Sequence, residues 1–392
     1  MVDRVKGLLH WFEALFAAVY FGFPSRKLDV IGVTGTDGKT TTTTLIYEIL
    51  KARGLSVSMI STVHAVVAGK SYDTGFHVTN PRAWHVQKYL SDAARHHDTH
   101  FVLETTSHGI SQHRVDFVRF TVGVVTNVTH EHLDWHKTFH AYLWVKAKLL
   151  IRAKTAVINR DESVLYDAVS PILTNKHVVT YGLSRNASVN SKSHPFRTPL
   201  IGEFNRYNCL AAIAATQALD VPLSVAQKAI ATFYGIPGRM EIVAVKPYRV
   251  IVDFAHTPNA IAQALKAVRM ISKKRLIHVF GSAGLRDSTK RPFMGKASAA
   301  YADLIVLTQE DYRTEDVNRI IEEIASGIPA GKTVVKMPDR DEAIGYELSR
   351  ARPGDTVIIT GKGHEKSLAR GTKEYPWSDQ EAVRRHIQSF SL

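Results

Sequence analysis

Short apolar runs rich in β-branched residues recur along the first half of the chain, with helical patterns between them. The runs are VIGVT, VSMIS, HFVLE, TVGVVT and TAVIN, which start at residues 30, 57, 100, 121 and 155. Continuous apolar runs of this length are typical of strands that are buried on both faces. Strands that alternate with helices in this way predict a parallel sheet covered on both sides.

The same alternation restarts in the second half of the chain. A polar stretch over residues 184–199 is followed by helical patterns between Asn205 and Tyr234. The next apolar runs are YRVIVDF, RLIHVFG, DLIVLT and DTVIITG, which start at residues 248, 275, 303 and 355. The turn signal GIPGR at 235–239 lies between the two sets. We therefore predict two α/β domains, over residues 28–236 and 237–392.

Residues 1–27 predict a separate amphipathic helix. Apolar side chains recur there at helical spacing, at Leu8, Leu9, Phe12, Leu15, Phe16 and Val19. The longest apolar run covers residues 14–23 and is shorter than the ~18 residues needed to cross a bilayer. Glu13 interrupts the apolar part and no small-x-small cleavage site follows, which argues against a secretory signal. We expect the stripe to pack on the body of the protein, with peripheral contact to a membrane surface or a partner as the alternative.

Composition and charge narrow the class of protein. With 392 residues, 45% of them hydrophobic and 22% charged, the chain has the make-up of a globular protein of two or three domains. A net charge of +14 favours anionic partners such as nucleotides, phosphorylated substrates, nucleic acid or an anionic membrane, without choosing among them. The single cysteine, Cys209, excludes an internal disulfide and a CxxC site, so we expect a cytoplasmic protein.

A glycine-rich turn between the first strand and a helix is the strongest local signal. The segment VIGVTGTDGKTTTTT covers residues 30–44, and Val33 stands where the strict P-loop pattern has glycine. Glycines let backbone N–H groups approach phosphate oxygens, Lys39 can reach the β- and γ-phosphates, and Thr40 can bind Mg²⁺. We therefore predict a P-loop parallel-sheet ATPase domain followed by a smaller Rossmann-like α/β domain.

Two further side chains follow neighbouring strands at the same predicted edge. Glu104 closes the run HFVLE, and His132 lies in TNVTHEHLDWH after the run TVGVVT. The carboxyl ends of parallel strands share one edge of the sheet, so both side chains can gather near the phosphates. We predict both as Mg²⁺ ligands, although Mg²⁺ ordinarily prefers oxygen to a histidine nitrogen.

Eight motifs in order resemble those of the Mur ligases. They are TGTDGKT, LETTSHGISQHR, TNVTHEHLDWH with AYLWVKAKLL, GEFNRYN, PGRMEIV, VDFAHTPNAI, FGSAGLRDSTKRPFMG and GKGHEK, and they extend from about Leu28 to the C-terminus. The motifs are most similar to those of members that add an amino acid to the peptidoglycan stem peptide. The resemblance implies a central ATP-binding domain over 28–236 and an amino-acid-binding domain over 237–392.

The resemblance also implies roles for individual residues. Catalysis and metal binding fall to Lys39, Thr40, Glu104, His132 and Lys146, with Lys146 carbamylated so that it binds a second Mg²⁺. Nucleotide binding falls to Gly35, Thr36, Asp37, Gly38, Lys39, Thr40, Thr41, Asn127, Asn205, Asn208, Arg239, Asp253 and His256. Binding of the acceptor and of the amino acid falls to Thr79, Ser107, Arg114, Arg286, Asp311, Arg313, Gly361 and Glu365.

The implied reaction is the formation of an amide bond at the expense of ATP. The acceptor carboxylate attacks the γ-phosphate, and the amine of an amino acid then attacks the acyl phosphate. No serine or cysteine nucleophile is needed, so Cys209 is interpreted as a core residue. The expected partners are small-molecule substrates, without nucleic acid, and the expected state is a monomer.

Departures from the family pattern keep alternatives open. Only residues 1–27 precede the part of the chain that resembles the family. Family members carry an N-terminal domain that binds the uridine nucleotide, and we expect this domain to be lacking here. Whether the acceptor is linked to UDP therefore stays open. EDYR at 310–313 replaces the DNPR of diaminopimelate-adding members, which leaves the amino acid open. One cysteine excludes the relatives with a four-cysteine zinc site. A polyglutamate- or cyanophycin-type ligase and a nucleotide-binding scaffold without catalysis are the remaining alternatives.

Overall fold

The computed structural model describes residues 2–72, 79–129 and 136–389. Contacts between Cα atoms divide the chain into two compact units, and each is described by itself. The first unit covers residues 1–199 and 204–233, and the second covers residues 200–203 and 234–392.

The first unit is built on a largely parallel sheet. Its strands are β1 (Asp29–Thr34), β2 (Val57–Ile60), β3 (Ala65–Val67), β4 (Lys70–Tyr72), β5 (His100–Glu104), β6 (Phe120–Val125), β7 (Thr155–Asn159) and β8 (His177–Tyr181). They lie in the order β4-β3-β2-β5-β1-β6-β7-β8, and β3 and β4 extend the sheet as antiparallel strands. β1, whose last five residues are buried, lies between β5 and β6, so the loop that follows it leaves from the middle of the sheet.

Helices accompany this sheet along the chain. They are α1 (Val2–Tyr20), α2 (Lys39–Ala52), α3 (Ala83–Arg95), α4 (Ser107–Ser111), α5 (Phe139–Arg152), α6 (Ser163–Val169), α7 (Glu203–Gln217) and α8 (Leu223–Ala231), with short 3₁₀ helices at Pro24–Lys27 and Ser170–Ile172. Cys209 on α7 is buried, and burial raises the pKa of its thiol to about 12, as suits a core residue. None of the helices in the described chain is long and apolar enough to cross a bilayer.

The second unit repeats the α/β pattern. Its strands are β9 (Glu241–Ala244), β10 (Arg249–Val252), β11 (Leu276–Phe280), β12 (Leu304–Leu307), β13 (Thr333–Lys336), β14 (Thr356–Ile359), β15 (Ser367–Arg370) and β16 (Lys373–Pro376). Its helices are α9 (Pro258–Ile271), α10 (Arg291–Ala299), α11 (Val317–Ala325), α12 (Arg340–Arg350) and α13 (Asp379–Ser389). The main sheet has the order β13-β12-β11-β14-β10-β9, with β9 antiparallel to β10, and β15 pairs with β16. The predicted fold class, two α/β units with parallel sheets, is confirmed.

The expected packing of the α1 stripe was wrong. α1 lies against α3, but the residues it buries are Ala14, Ala17 and Ala18. Small side chains allow two helices to approach closely, so most bulky side chains of the predicted stripe, such as Phe12 and Phe16, face outward and are more than half exposed, while Leu15 is half-buried.

A buried ion pair joins α12 to α13 in the second unit. The Arg340 guanidinium donates to both Asp379 carboxylate oxygens at 2.7 and 2.8 Å, and neither side chain is exposed. Removal of one partner from such a pair leaves an uncompensated buried charge. We expect Arg340→Met to lower the free energy of unfolding by about 3–5 kcal/mol in urea titrations followed by tryptophan fluorescence.

A matched control lies on the same two helices. Arg385 on α13 pairs with Asp341 on α12 at 2.6 Å, but both side chains are exposed. Arg385→Met should therefore cost less than about 1 kcal/mol. Equal losses in the two variants would contradict a structural role for the buried pair.

Candidate functional site

The loop after β1 has the geometry of an anion site. It passes through Gly35 and Gly38 to the first residue of α2, Lys39, and Gly38 has a φ of 78°. A Cβ on Gly38 would overlap the Asn208 side-chain oxygen, so glycine is required there for both conformation and space. A helix N-terminus directed at such a loop offers backbone N–H groups and a positive dipole end to a phosphate.

Residues at the carboxyl end of β6 hold this loop in shape. The Asn127 side chain accepts from the Asp37 backbone N–H at 2.8 Å and donates to the Asp37 carbonyl at 3.2 Å. The Thr126 hydroxyl donates to the same carbonyl at 2.6 Å. Lys39 donates from Nζ to the Thr36 carbonyl at 2.8 Å. The loop is therefore preformed, with its ammonium group held at the same turn.

Thr40 and Glu104 form an oxygen pair that fits a metal. Glu104 is fully buried at the end of β5, and its Oε1 lies 3.1 Å from Thr40 Oγ1. Mg²⁺ binds oxygens at about 2.1 Å in an octahedron, so neighbouring ligands lie about 3 Å apart. Thr62 also donates to Glu104, from its backbone N–H at 2.8 Å and its hydroxyl at 2.7 Å.

The predicted metal ligands also include His132 and Lys146. His132 lies outside the described residues. Within the described ranges there is no group of three or more His, Cys, Asp and Glu side chains that could hold a metal. A site made by Thr40, Glu104 and a modified lysine would contain only one side chain of those four types. Its oxygen ligands would suit the hard Mg²⁺ ion better than nitrogen ligands do.

Lys146 is buried beside the glycine-rich loop. It lies on α5 with 1% exposure, and its Nζ donates to the Gly35 carbonyl. The Tyr142 ring lies 4.5 Å from that nitrogen, and the Tyr142 hydroxyl is 3.1 Å from Thr36 Oγ1. α5 therefore brings a buried lysine to the turn that carries the predicted phosphate-binding residues.

Two amides of α7 complete this group. Asn208 donates to Asn205 Oδ1 at 3.0 Å and accepts from the Thr42 hydroxyl at 3.4 Å, on the first turns of α2. Both asparagines are buried. Thr41, on the same first turn of α2, is half-buried. The predicted nucleotide residues of the first unit are thus brought together around one loop.

The predicted acceptor residues gather around Asn80. Its side chain donates to the Glu104 carbonyl at 2.6 Å and accepts from the Thr106 N–H at 2.6 Å, directly before Ser107 on α4. Its carbonyl accepts from Arg114. Thr79 contacts Thr62 through the two hydroxyl groups at 2.9 Å. Thr79 is therefore linked to the Glu104 carboxylate through Thr62, and Arg114 is linked to the Glu104 backbone carbonyl through Asn80, while Ser107 follows Thr106 in the chain.

A cavity lies between this acceptor group and α1. Its volume is about 120 Å³, and it is lined by His10, Glu13, Arg82, Ala83, Gln112 and Arg114. Burial lowers the pKa of Arg114, and the nearby Arg82 guanidinium acts in the same direction, while Glu13 opposes them. Arg82 is paired with the Glu13 carboxylate, so Arg114 is the guanidinium of this cavity that suits an anionic group of a substrate.

In the second unit, three of the predicted nucleotide residues lie around the end of β10. Asp253 accepts from the backbone N–H groups of Met240 and Ala255 at 2.7 and 2.9 Å. The Arg239 guanidinium lies 4.3 Å from the centre of the Phe254 ring, and the His256 ring lies 4.7 Å from the same ring. Asp253 thus accepts two backbone hydrogen bonds that shape this turn, while Arg239 and His256 both contact the Phe254 ring.

The predicted amino-acid residues form a second group at the ends of β12 and β14. Asp311 accepts from Lys362 Nζ at 2.7 Å, and Lys362 also pairs with Glu365 at 2.5 Å. Burial opposes the charge of Lys362, but Glu365 and Asp311 outweigh it and the pKa of the ammonium is raised. Arg313 donates to the Gly284 carbonyl at 2.8 Å. Arg286, on the loop two residues beyond Gly284, is exposed.

Glu310 is a residue that sequence reasoning missed. Its side chain is buried, and burial raises the pKa of the carboxyl against the opposing effect of Lys290 and Lys362. Among the described residues its Oε2 has no hydrogen-bond partner, and a Cβ on Gly361 would lie 2.8 Å from that oxygen. The sequence signal for Glu310 is its position in EDYR, the segment that replaces the DNPR of diaminopimelate-adding members.

Comparison with known proteins identifies the family. Residues 33–216 match the model for the Mur ligase middle domain, and residues 238–363 match the model for the Mur ligase glutamate ligase domain. The chain belongs to the Mur ligase family. As a Mur ligase it is an ATP-dependent enzyme that joins an acid to an amino acid, and its substrates are small molecules.

Similar proteins agree in both sequence and fold. A UDP-N-acetylmuramoyl-L-alanyl-D-glutamate–2,6-diaminopimelate ligase from Aquifex aeolicus is 37% identical over 93% of this Mur ligase and 78% of the relative. A solved ligase of the same name has a TM-score of 0.65 at 30% identity, over 93% of this chain and 79% of that one. A folylpolyglutamate synthase from Mycobacterium tuberculosis shares the fold alone, with a TM-score of 0.72 at 16% identity over 90% of this chain and 92% of that one.

Proposed function

We propose that this Mur ligase adds an amino acid to a UDP-N-acetylmuramoyl dipeptide in the synthesis of peptidoglycan precursors. The names of the similar proteins support this substrate class. Residues 28–236 would bind ATP, and residues 237–392 would bind the amino acid. The active enzyme would be a monomer. The exposed face of α1 supports a peripheral contact with a membrane.

The observation that carries the proposal is the cluster at the carboxyl end of the first sheet. Thr40 and Glu104 offer two oxygens 3.1 Å apart, and Lys39 and Lys146 lie at the same loop. The loop N–H groups and Lys39 would bind the ATP phosphates and stabilise the charge that develops on the γ-phosphate. Lys146 would carry a carbamate, whose oxygens suit Mg²⁺ as an ammonium cannot.

The proposal assigns ligands to two Mg²⁺ ions. Thr40, Glu104 and His132 would hold Mg²⁺, and carbamylated Lys146 would bind a second Mg²⁺. Mg²⁺ held by these residues would supply positive charge that neutralises the transferred phosphoryl group. The acceptor residues Thr79, Ser107 and Arg114 would orient the carboxylate, and Arg313, Gly361 and Glu365 would orient the amine-bearing substrate.

A panel assay of phosphate release tests the proposal. We expect release only when ATP is supplied with both UDP-N-acetylmuramoyl dipeptide and one of diaminopimelate, lysine or glutamate, because the acyl phosphate needs both a carboxylate and an amine. Free peptides serve as the control acceptors. Amide formation on an acceptor without a uridine nucleotide would reject the cell-wall function in favour of a polyglutamate-type ligase. Binding of ATP without turnover on any pair would favour a scaffold.

A further inference from the structure

The outward face of α1 carries a row of large apolar side chains. Six of them, each between 53% and 65% exposed, are Leu8, Leu9, Phe12, Phe16, Val19 and Tyr20. At about 100° per residue these positions fall within an arc of about 120° of the helix. Contiguous apolar surface of this kind on a water-exposed helix marks a site of interaction.

The orientation of this face is fixed by the packing on the other side of the helix. Ala14, Ala17 and Ala18 are fully buried there. At the flank, the Arg82 guanidinium donates to both carboxylate oxygens of Glu13 at 3.1 and 2.9 Å. α1 is therefore attached to the first unit mainly through its small side chains. The bulky row stays more than half exposed, although Phe16 and Tyr20 at its end also contact Trp84 of α3.

Aromatic rings continue the row beyond the helix. Phe16 stacks on Trp84 with ring centres 6.0 Å apart, and Tyr20 and Phe21 lie 4.9 and 5.0 Å from the same ring. Tryptophan and tyrosine combine an apolar ring with a polar tip, which suits the boundary between headgroups and acyl chains.

The charges around the row point to the kind of surface it meets. Lys6, Arg26 and Lys27 are exposed on α1 and on the 3₁₀ helix that follows it, in a chain with a net charge of +14. A symmetric dimer through the row would bring these like charges from two copies together. Anionic lipid headgroups would instead neutralise them.

We infer that α1 lies flat on anionic bilayers and inserts Leu8, Leu9, Phe12, Phe16, Val19 and Tyr20 at the headgroup boundary. This rests on the peripheral membrane contact in the proposed function and names its residues and its lipid chemistry. His10 and Glu13 of the same helix line the cavity next to Arg114. Membrane binding therefore holds the acceptor side of the ligase close to the lipid surface.

Vesicle flotation of the full chain tests this inference. We expect co-flotation with vesicles of phosphatidylglycerol and phosphatidylcholine, weaker binding to phosphatidylcholine alone, and loss of binding at high salt. Phe12→Ser with Phe16→Ser should lower the bound fraction at least about tenfold, because two buried aromatic side chains are lost from the interface. Arg26→Glu with Lys27→Glu should remove the preference for anionic vesicles.

The control is an exposed aromatic residue that belongs to the second unit. Phe293 on α10 is 61% exposed, and Phe293→Ser should leave flotation unchanged. Absence of flotation, equal flotation of the Phe12/Phe16 variant, or a dimer in light scattering that this variant abolishes would each overturn the inference. Unaltered melting by circular dichroism establishes that the variants fold. Phosphate release is measured without vesicles, so failure of membrane binding is distinguished from failure of the ligase function.

Discussion

Lys39→Ala is expected to lower kcat for phosphate release roughly a thousandfold. Lys39 begins α2 at the glycine-rich loop, and its ammonium group already lies 2.8 Å from the Thr36 carbonyl of that loop. We propose that this ammonium moves onto the γ-phosphate and stabilises the charge that develops there. Alanine keeps the helix start but removes the charge, so the loss should fall mainly on kcat.

The matched control for Lys39 lies on the same helix. Lys51 is half exposed and lies 3.9 Å from Glu48 on the surface of α2. Lys51→Ala should therefore leave kcat within about twofold of the wild type. Turnover by Lys39→Ala at the wild-type rate would show that the glycine-rich loop does not bind the reacting phosphate.

Lys146→Ala is expected to lower turnover by at least about a hundredfold. The side chain is buried beside Gly35 and Tyr142, where a carbamate would place anionic oxygens at the loop. Wild-type activity should fall when dissolved carbon dioxide is removed and recover with bicarbonate, because the carbamate forms reversibly. A ¹³C carbamate signal after labelling with ¹³C-bicarbonate should be present in the wild type and absent in the variant.

Lys148, two residues further along α5, provides the comparison. It is exposed, and Lys148→Ala should retain turnover, bicarbonate dependence and the ¹³C signal. Amino-acid-dependent phosphate release that survives Lys146→Ala unchanged would reject the carbamate. Loss of turnover without any bicarbonate dependence in the wild type would instead assign Lys146 a role as an unmodified ammonium.

The central strands could be predicted from the sequence because burial leaves a strong local pattern. HFVLE, for example, is a strand over His100–Glu104 with every residue buried. Very short or exposed strands carry a weaker pattern: β3 and β4 have three residues each, and β4, at the edge of the sheet, is wholly exposed. β13 has exposed ends. These strands were not predicted, because strands that are this short or this exposed show no distinctive run of apolar residues.

Side chains that act through contacts distant in sequence were harder to find. Asn80 joins Thr106 to Glu104, and Thr62 binds Glu104 from the loop after β2. Neither residue belongs to a sequence motif with a recognisable chemical function. Their importance follows from the parallel order of β2, β5 and β1, which brings three loops to one edge.

By itself the sequence determined the α/β class, the glycine-rich loop and the family, because each depends on the spacing of nearby residues and on motifs of adjacent residues. The tertiary structure decided which side chains meet: the 3.1 Å approach of Thr40 to Glu104, the burial of Lys146 at Gly35, and the pairing of Lys362 with Asp311. It also decided which face of α1 is buried. The α1 sequence carries both an aromatic and an alanine face, and only close packing against α3 selects the smaller side chains for the interior.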